Sequence, residues 1–359
     1  MLLHALVAAA WPAQDPDPAA IRSGMPLLGL ADQQYHVCQP VPEAEKAHPH
    51  GGSRPRQGRP RESALWTQSL RAVGCPPAGT RWGVVADRGA DIYVHLQQCP
   101  AQGLGFVVRA AQNRALVAGT AKTPAGRLFE LARAQPSAGT FSLALRGRPR
   151  QPARAVVLQV SFSPALALRA PQRPGGATGK GAPVPASMVR VWEETEPGTA
   201  PGLEWLLLCY QPVTDFAQAL TCARQYASRW LIEDFHKALK TGLGAEKLQL
   251  QTATRLVAAV ALLSVVALAL VDLREKSRLE PDLPAEAAGL TDTELRVLRH
   301  QSRRPLDTVR ALYRALAALG GHLGRKGDGP PGWQTRWLGR RSLRLLVEGG
   351  NMAAQLLDE

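Results

Sequence analysis

The apolar positions of this chain change rhythm twice. Leu2 to Ala10 and Pro26 to Val37 are short apolar stretches that predict strands, divided by the turn-rich Trp11 to Ser23. Pro40 to Pro60 is rich in Pro, Gly, His and Arg and predicts a loop too polar to bury. Glu62 to Val73 places Leu65, Leu70 and Val73 at helical spacing, and Arg81 to Ala86 predicts a strand that runs straight into Asp87. From about Val117 to Pro201 the apolar runs shorten to Thr140–Leu145, Ala155–Phe162 and Met188–Trp192. Gly, Pro and Arg separate them, which is an antiparallel β pattern. After a strand at Leu203–Cys209 the period becomes helical. One helix starts near Asp215 and runs past Lys240, and an apolar one follows near 256–274. Thr291 and Glu294 form a capping box that opens another helix. A Gly-rich stretch at 320–332 precedes a final helix over about Thr335 to Val347.

Leu256 to Val271 is apolar apart from Ser264 and resembles a membrane span. Its uninterrupted length falls below the roughly 18 to 20 residues that cross a bilayer, and Asp272 and Arg274 follow at once. The sequence therefore predicts a helix buried all round beneath the Asp215–Lys240 helix, and no membrane partner. Leu2 to Ala10 lacks a basic region before it, so it does not read as a signal peptide. Cys38, Cys75, Cys99, Cys209 and Cys222 show no zinc or redox spacing and read as reduced thiols of a cytoplasmic protein. His48 and His50 have no third ligand near them. Gly324 to Gly329 lacks the spacing of a phosphate-cradling loop.

Charge changes the picture more than composition does. Lys and Arg number 43 against 29 Asp and Glu, a formal net charge of +14, which points to a polyanionic partner such as DNA. Arg146, Arg148, Arg150 and Arg154 concentrate part of that excess in one predicted hairpin.

The informative stretch is Gln225 to Leu243. On one continuous helix Tyr226, Arg229, Glu233 and Lys240 project within roughly 60° of one another, flanked by Trp230 and Lys237. Leu231, Ile232, Phe235, Ala238 and Leu239 form the opposite, core-facing side. On the stripe alone, an exposed face with ion pairs from Arg229 to Glu233 and from Glu233 to Lys237 is the commoner explanation. The other is a nuclease site, in which a carboxylate holds a divalent metal and Arg, Lys and Tyr hold phosphates.

Tyr226-x2-Arg229-x3-Glu233-x6-Lys240 resembles the signature of the insertion-sequence-four transposases, the hairpin-forming group of DDE enzymes. At average composition, these four residues at this spacing arise by chance at on the order of 10⁻³ in a chain of this length. Ala86-Asp87-Arg88-Gly89-Ala90-Asp91-Ile92-Tyr93 is similar to the block that carries the family's second catalytic Asp. Leu319-Gly320-Gly321 and Gly332-Trp333-Gln334-Thr335 are similar to its C-terminal region. The resemblance implies that Asp87 and Glu233 are catalytic and hold Mg²⁺, with Mn²⁺ as a substitute. It implies that Tyr226, Arg229 and Lys240, and more weakly Arg88 and Lys237, hold DNA phosphates. Trp205 matches the family's pocket for an extruded base, with Trp230 assisting, and burial in a core strand is the alternative for Trp205. Asp91 is expected to be an acid at a helix N-terminus.

The fold implied is α/β: a ribonuclease-H-like catalytic core with its first strand missing, an inserted antiparallel β subdomain and a helical C-terminal region. The expected boundaries are 1–116 for the first part of the core, 117–201 for the insert, 202–280 for the second part with the Tyr-Arg-Glu-Lys helix, and 281–359 for helical dimerisation. In this reading Leu2–Ala10 is already the second strand of the sheet. The first catalytic Asp and an end-reading domain would then precede Met1, and Asp15, Asp17 and Asp32 are poor substitutes for that Asp. The expected partners are double-stranded DNA, as transposon ends and target, and a second copy of the chain on DNA, in a nucleoid-associated cytoplasmic protein. The alternative is a catalytically dead remnant that binds DNA, or pairs with an intact enzyme and inhibits it.

Overall fold

Trp205-Leu206-Leu207-Leu208-Cys209 is apolar at every position, the mark of a strand covered on both faces, and it lies inside the main sheet. The computed structural model describes residues 2–8, 26–36, 62–117, 124–145, 154–171, 181–195, 202–302 and 304–358. The chain falls into two compact units, one carrying Asp32–Arg229 and the other Trp230–Glu359. The first two strands, β1 (Leu2–Ala8) and β2 (Leu27–Tyr35), are divided between the units.

In the first unit the order is α1 (Ala64–Val73), β3 (Gly83–Ala86), α2 (Tyr93–Ala101), β4 (Gly105–Arg109), β5 (Ala115–Val117), β6 (Pro124–Arg127) and α3 (Leu128–Ala134). Then come β7 (Gly139–Leu145), β8 (Arg154–Leu168), β9 (Val184–Glu193), β10 (Glu204–Cys209) and α4 (Phe216–Ser228). The sheet runs β3-β4-β10-β9-β8-β5-β6, with β7 on β8. Its β3–β4 pair is parallel and its other pairs are antiparallel, so the sheet is mixed. Alternation assigns the two faces. Phe106, Val108, Leu206 and Leu208 pack with Leu70, Leu96 and Leu128 from α1, α2 and α3. Val107, Trp205, Leu207 and Cys209 pack instead with Ala219, Cys222 and Tyr226 of α4.

One expectation changes here. β1 and β2 pair with each other in a two-stranded sheet of their own rather than joining the large sheet, and β3 lies at one edge of the eight-stranded sheet. The strands of the expected insert are continuous with that sheet, because β9 hydrogen-bonds along its length to β10 from Ser187 to Trp192.

The second unit is helical: α5 (Trp230–Lys237), a π-helical turn (Ala238–Gly242), α6 (Ala253–Leu279), α7 (Asp292–Gln301), α8 (Val309–Leu319) and α9 (Trp333–Asp358). The capping box is present, with Thr291 and Glu294 satisfying each other's backbone at the start of α7. Leu273, Leu295, Leu298, Leu312, Leu316 and Leu343 form the core. α8 and α9 cross at Gly320 and Gly339. A Cβ on Gly339 would lie 1.9 Å from the Leu316 carbonyl oxygen, and one on Gly320 1.9 Å from that of Thr335, so only glycine fits at either position.

The expectation for the apolar helix is corrected. α6 has 27 residues, and by length and composition alone it is long and apolar enough to cross a bilayer. It is buried along one stripe, Val260, Ser264, Ala267, Leu270 and Val271, not all round. Leu262 is 72% and Val265 63% exposed. The expected packing against the Glu233 helix is present, since α5 and α6 touch.

Candidate active site

Asp87 stands where β3 ends. Its carboxylate accepts from the Gly89 N–H at 2.9 Å and caps the 3₁₀ turn Arg88–Ala90, which fixes the residue at the sheet margin while leaving it and Arg88 exposed. Asp91 differs. It precedes α2 as expected, but its carboxylate does not serve that helix. It is 2% exposed, pairs with Arg114 at 2.6 Å and accepts from the Ala111 and Gln112 N–H groups at 2.7 and 2.9 Å. Asp91 thus clamps the loop after β4 against the Asp87 block. Nothing in the spacing of Arg114 announced this partner.

The continuous helix expected from Asp215 past Lys240 starts as foreseen, with Asp215 accepting from the Gln218 N–H at 2.8 Å, but it is broken at Arg229. The Ser228 hydroxyl donates to the Gln225 carbonyl at 2.6 Å, the oxygen that the Arg229 N–H would meet in a regular helix. The Arg229 N–H turns to the Tyr226 carbonyl at 3.1 Å, α4 stops, and α5 begins afresh at Trp230. The single stripe therefore divides, with Tyr226 and Arg229 closing the first unit and Glu233, Lys237 and Lys240 standing in the second. Tyr226 is 2% exposed and meets Trp205 edge to face, with ring centroids 5.1 Å apart. The Arg229 guanidinium sits 5.7 Å from the Tyr226 ring centre. Trp205 is buried in the core behind them, as in the alternative considered for it, and a base reaches its ring only if neighbouring side chains move.

On α5, Phe235, Ala238 and Leu239 are buried as expected, while Trp230 and Glu233 are half-buried and Lys237 is exposed. Glu233 lies in the first turn, where the helix dipole favours a carboxylate. Burial pushes the His236 imidazole below its usual range; Lys240 adds to this and Glu233 opposes it. The π turn closes through the Leu243 N–H donating to the Ala238 carbonyl at 2.9 Å. Within that turn the exposed Lys240 pairs with Glu246 at 2.9 Å. Asp234, next to Glu233, is gripped by the buried Arg274 of α6 at 2.7 Å.

Arg146, Arg148 and Arg150 lie outside the described residues. β7 and β8 pair to their ends at Leu145 and Arg154, and Arg154 forms a salt bridge with Glu193. Among the described residues no cluster of three or more His, Cys, Asp or Glu could hold a metal ion. The hard oxygens of Asp87 and Glu233 suit Mg²⁺, and they belong to different units. Cys99, Cys209 and Cys222 are buried free thiols as expected, and Cys75 is exposed. Cys38, His48 and His50 lie outside the described residues.

The mixed sheet thus carries an acid at a strand end, and a Glu among cations follows on a short helix. Residues 60–270 match the Transposase DDE domain, well over half of the chain and both motif blocks, and the chain belongs to that family. Residues 265–358, from the second half of α6 through α9, match the Transposase Tn5 dimerisation domain.

Proposed function

We propose that this DDE transposase is of the insertion-sequence-four, hairpin-forming type, and that Asp87 and Glu233 are its catalytic carboxylates. The observation that carries the reading is the placement of the two acids. Asp87 is held at a strand end by its own backbone cap, and Glu233 sits in the first turn of a short helix anchored by Phe235. Both present oxygen donors from rigid elements. Each offers carboxylate oxygens that would hold Mg²⁺, or Mn²⁺ in its place. When bound, the metal supplies activation of water or of a 3′-hydroxyl and stabilisation of the leaving oxygen.

The cations divide the remaining work. Arg229, steadied by the Tyr226 ring beneath it, and Lys240, with Lys237 and Arg88 at exposed positions, hold phosphates beside the cut. Tyr226, 2% exposed, acts by supporting Arg229 rather than by touching a phosphate itself. Trp230, half-buried where Trp205 is fully enclosed, is the better placed of the two to stack on an extruded base. Arg146, Arg148 and Arg150 add non-specific attraction for duplex DNA. Leu345, Met352, Leu356 and Leu357 on the outer part of α9 are exposed and apolar, which supports pairing with a second copy there. The place of action is the nucleoid. The buried stripe of α6 and the pairing of its Arg274 with Asp234 support a soluble protein's helix over a membrane span.

The test is cleavage of transposon-end DNA with Mg²⁺ or Mn²⁺ by the chain and by Asp87→Asn and Glu233→Gln. Each substitution should lower the rate by about 10³-fold or more, with duplex affinity retained. Cleavage that survives Glu233→Gln overturns the assignment. A chain inactive in every form, yet able to bind DNA and to pair with an intact enzyme, favours the inhibitory alternative.

A further inference from the structure

The C-terminal region meets the Glu233 element at two points, and one residue serves both. Trp333 opens α9. Its ring lies 4.6 Å from the Arg274 guanidinium, and Arg274 in turn grips Asp234, the residue that follows Glu233. Trp333 also lies against the far end of the same element, since a Cβ on Gly242 would come within 3.1 Å of the Trp333 Cβ. One tryptophan thus backs the first turn of α5 through an arginine and the end of the π turn directly.

The arrangement around that ring is built rather than incidental. Arg336, one turn further along α9, lies 4.2 Å from the Trp333 ring centre and 5.4 Å from that of Tyr313. Arg336 is 7% exposed, and its Nε and Nη1 have no hydrogen-bond partner, so aromatic faces take the place of an anion. Arg274 is 6% exposed and shares its fork between Asp234 and Glu275, the latter accepting from Nε at 2.7 Å. A forked guanidinium that is stacked and doubly paired fixes direction as well as charge, which an ammonium does not.

Asp234 and Glu233 are adjacent on one short helix. Whatever sets the rotation of Asp234 about the helix axis therefore sets that of Glu233. We propose that Asp234, Arg274 and Trp333 are positioning residues that tie the orientation of the Glu233 helix to the start of α9. This makes the C-terminal region part of the support of the site as well as a surface for a second copy. The inference rests on the reading of Glu233 as a catalytic carboxylate.

Amide-hydrogen exchange on the full chain tests it, with Arg274→Lys and Trp333→Leu as the disrupting variants and Trp333→Phe as the conservative one. Exchange of peptides spanning 230–243 should quicken about tenfold or more in the first two, while α7 (292–301) changes less than about twofold and Trp333→Phe stays near the parent. Equal quickening in α7 would reduce the cluster to general stabilisation and overturn the proposal, as would unchanged exchange over 230–243. Glu233→Gln is assayed for cleavage beside them. If it cleaves normally, the catalytic reading of Glu233 fails whatever the exchange shows. If it is dead while exchange is unmoved in the two disrupting variants, only the positioning proposal fails.

Discussion

The acids of the two motif blocks, one pair in each unit, solve the same problem in the same way. In the first, Asp87 is exposed while Asp91, four residues on, is buried against Arg114. In the second, Glu233 is half-buried while Asp234, its neighbour, is gripped by Arg274. Each block pairs an acid assigned to chemistry with an acid given over to structure, and each structural acid meets a buried arginine. A carboxylate enclosed by a guanidinium and backbone N–H groups has little capacity left for a metal. The difference lies in the supporting frame. Asp91 ties a loop to a sheet margin, while Asp234 ties a short helix to other helices.

The comparison breaks most visibly at Asp91. Asp91→Ala leaves Arg114 charged and enclosed, so urea denaturation at neutral pH should show a loss of about 3 to 5 kcal/mol. Asp87→Asn, which keeps a side-chain cap on an exposed turn, should stay within about 0.5 kcal/mol of the parent while abolishing cleavage. Equal stability losses at the two positions would end the division of labour argued for them.

Acid should separate the units next. His95 of α2 is 1% exposed and packs edge to face on Trp66, with centroids 5.8 Å apart. Burial pulls its imidazole down to about 4. The unfolded chain takes up that proton near pH 6.5 while the folded one does so only near 4. The stability this group contributes is therefore complete above 6.5 and lost as pH falls from 6.5 towards 4, at roughly 1.4 kcal/mol per pH unit. Denaturation profiles between pH 7 and 4 should fall more steeply for the parent than for His95→Gln. Matching slopes would remove His95 as the cause.

In the second unit Gly339→Ala forces a methyl to within 1.9 Å of the Leu316 carbonyl oxygen, so α8 and α9 must part. The expected loss is about 1 to 3 kcal/mol, read by thermal unfolding, with DNA affinity unchanged. A neutral result would mean that the helices cross less closely.

Much of this was legible in residue order. The strand ending at Asp87, the Asp215 cap, the Thr291–Glu294 box and the buried Phe235 face all follow from local patterns, and local patterns fix local structure. What was not legible depends on partners distant in sequence or on competition for single backbone groups. The break at Arg229 turns on one serine hydroxyl taking one carbonyl, a choice that periodicity does not see. The exposed face of α6 has the same composition as its buried stripe, so hydropathy could not divide them. Arg114 and Arg274 look like any other arginines in a chain with 43 basic residues, until the fold places a carboxylate against each. The final helix, expected over about Thr335 to Val347, runs instead from Trp333 through Gly349 and Gly350 to Asp358.

The smallest expected effect separates the exposed cations from the buried ones. Lys240 pairs with Glu246 at 2.9 Å, with 50% of its side chain and 65% of that of Glu246 exposed. A pair so well solvated contributes little, so Lys240→Ala should change stability by less than about 1 kcal/mol, far below Asp91→Ala. If Lys240 holds a phosphate, its loss releases one fewer counterion on binding. The slope of log affinity against log salt should then flatten by about 0.9 for duplex DNA. Glu246→Gln should act in the opposite direction, because it frees the ammonium from an internal competitor and raises affinity at low salt. Measuring both variants across a salt series distinguishes a phosphate contact from a mere surface charge. A slope unchanged in Lys240→Ala, with affinity also unchanged in Glu246→Gln, would remove Lys240 from the DNA-facing set and leave Arg229 as the main cation of the motif.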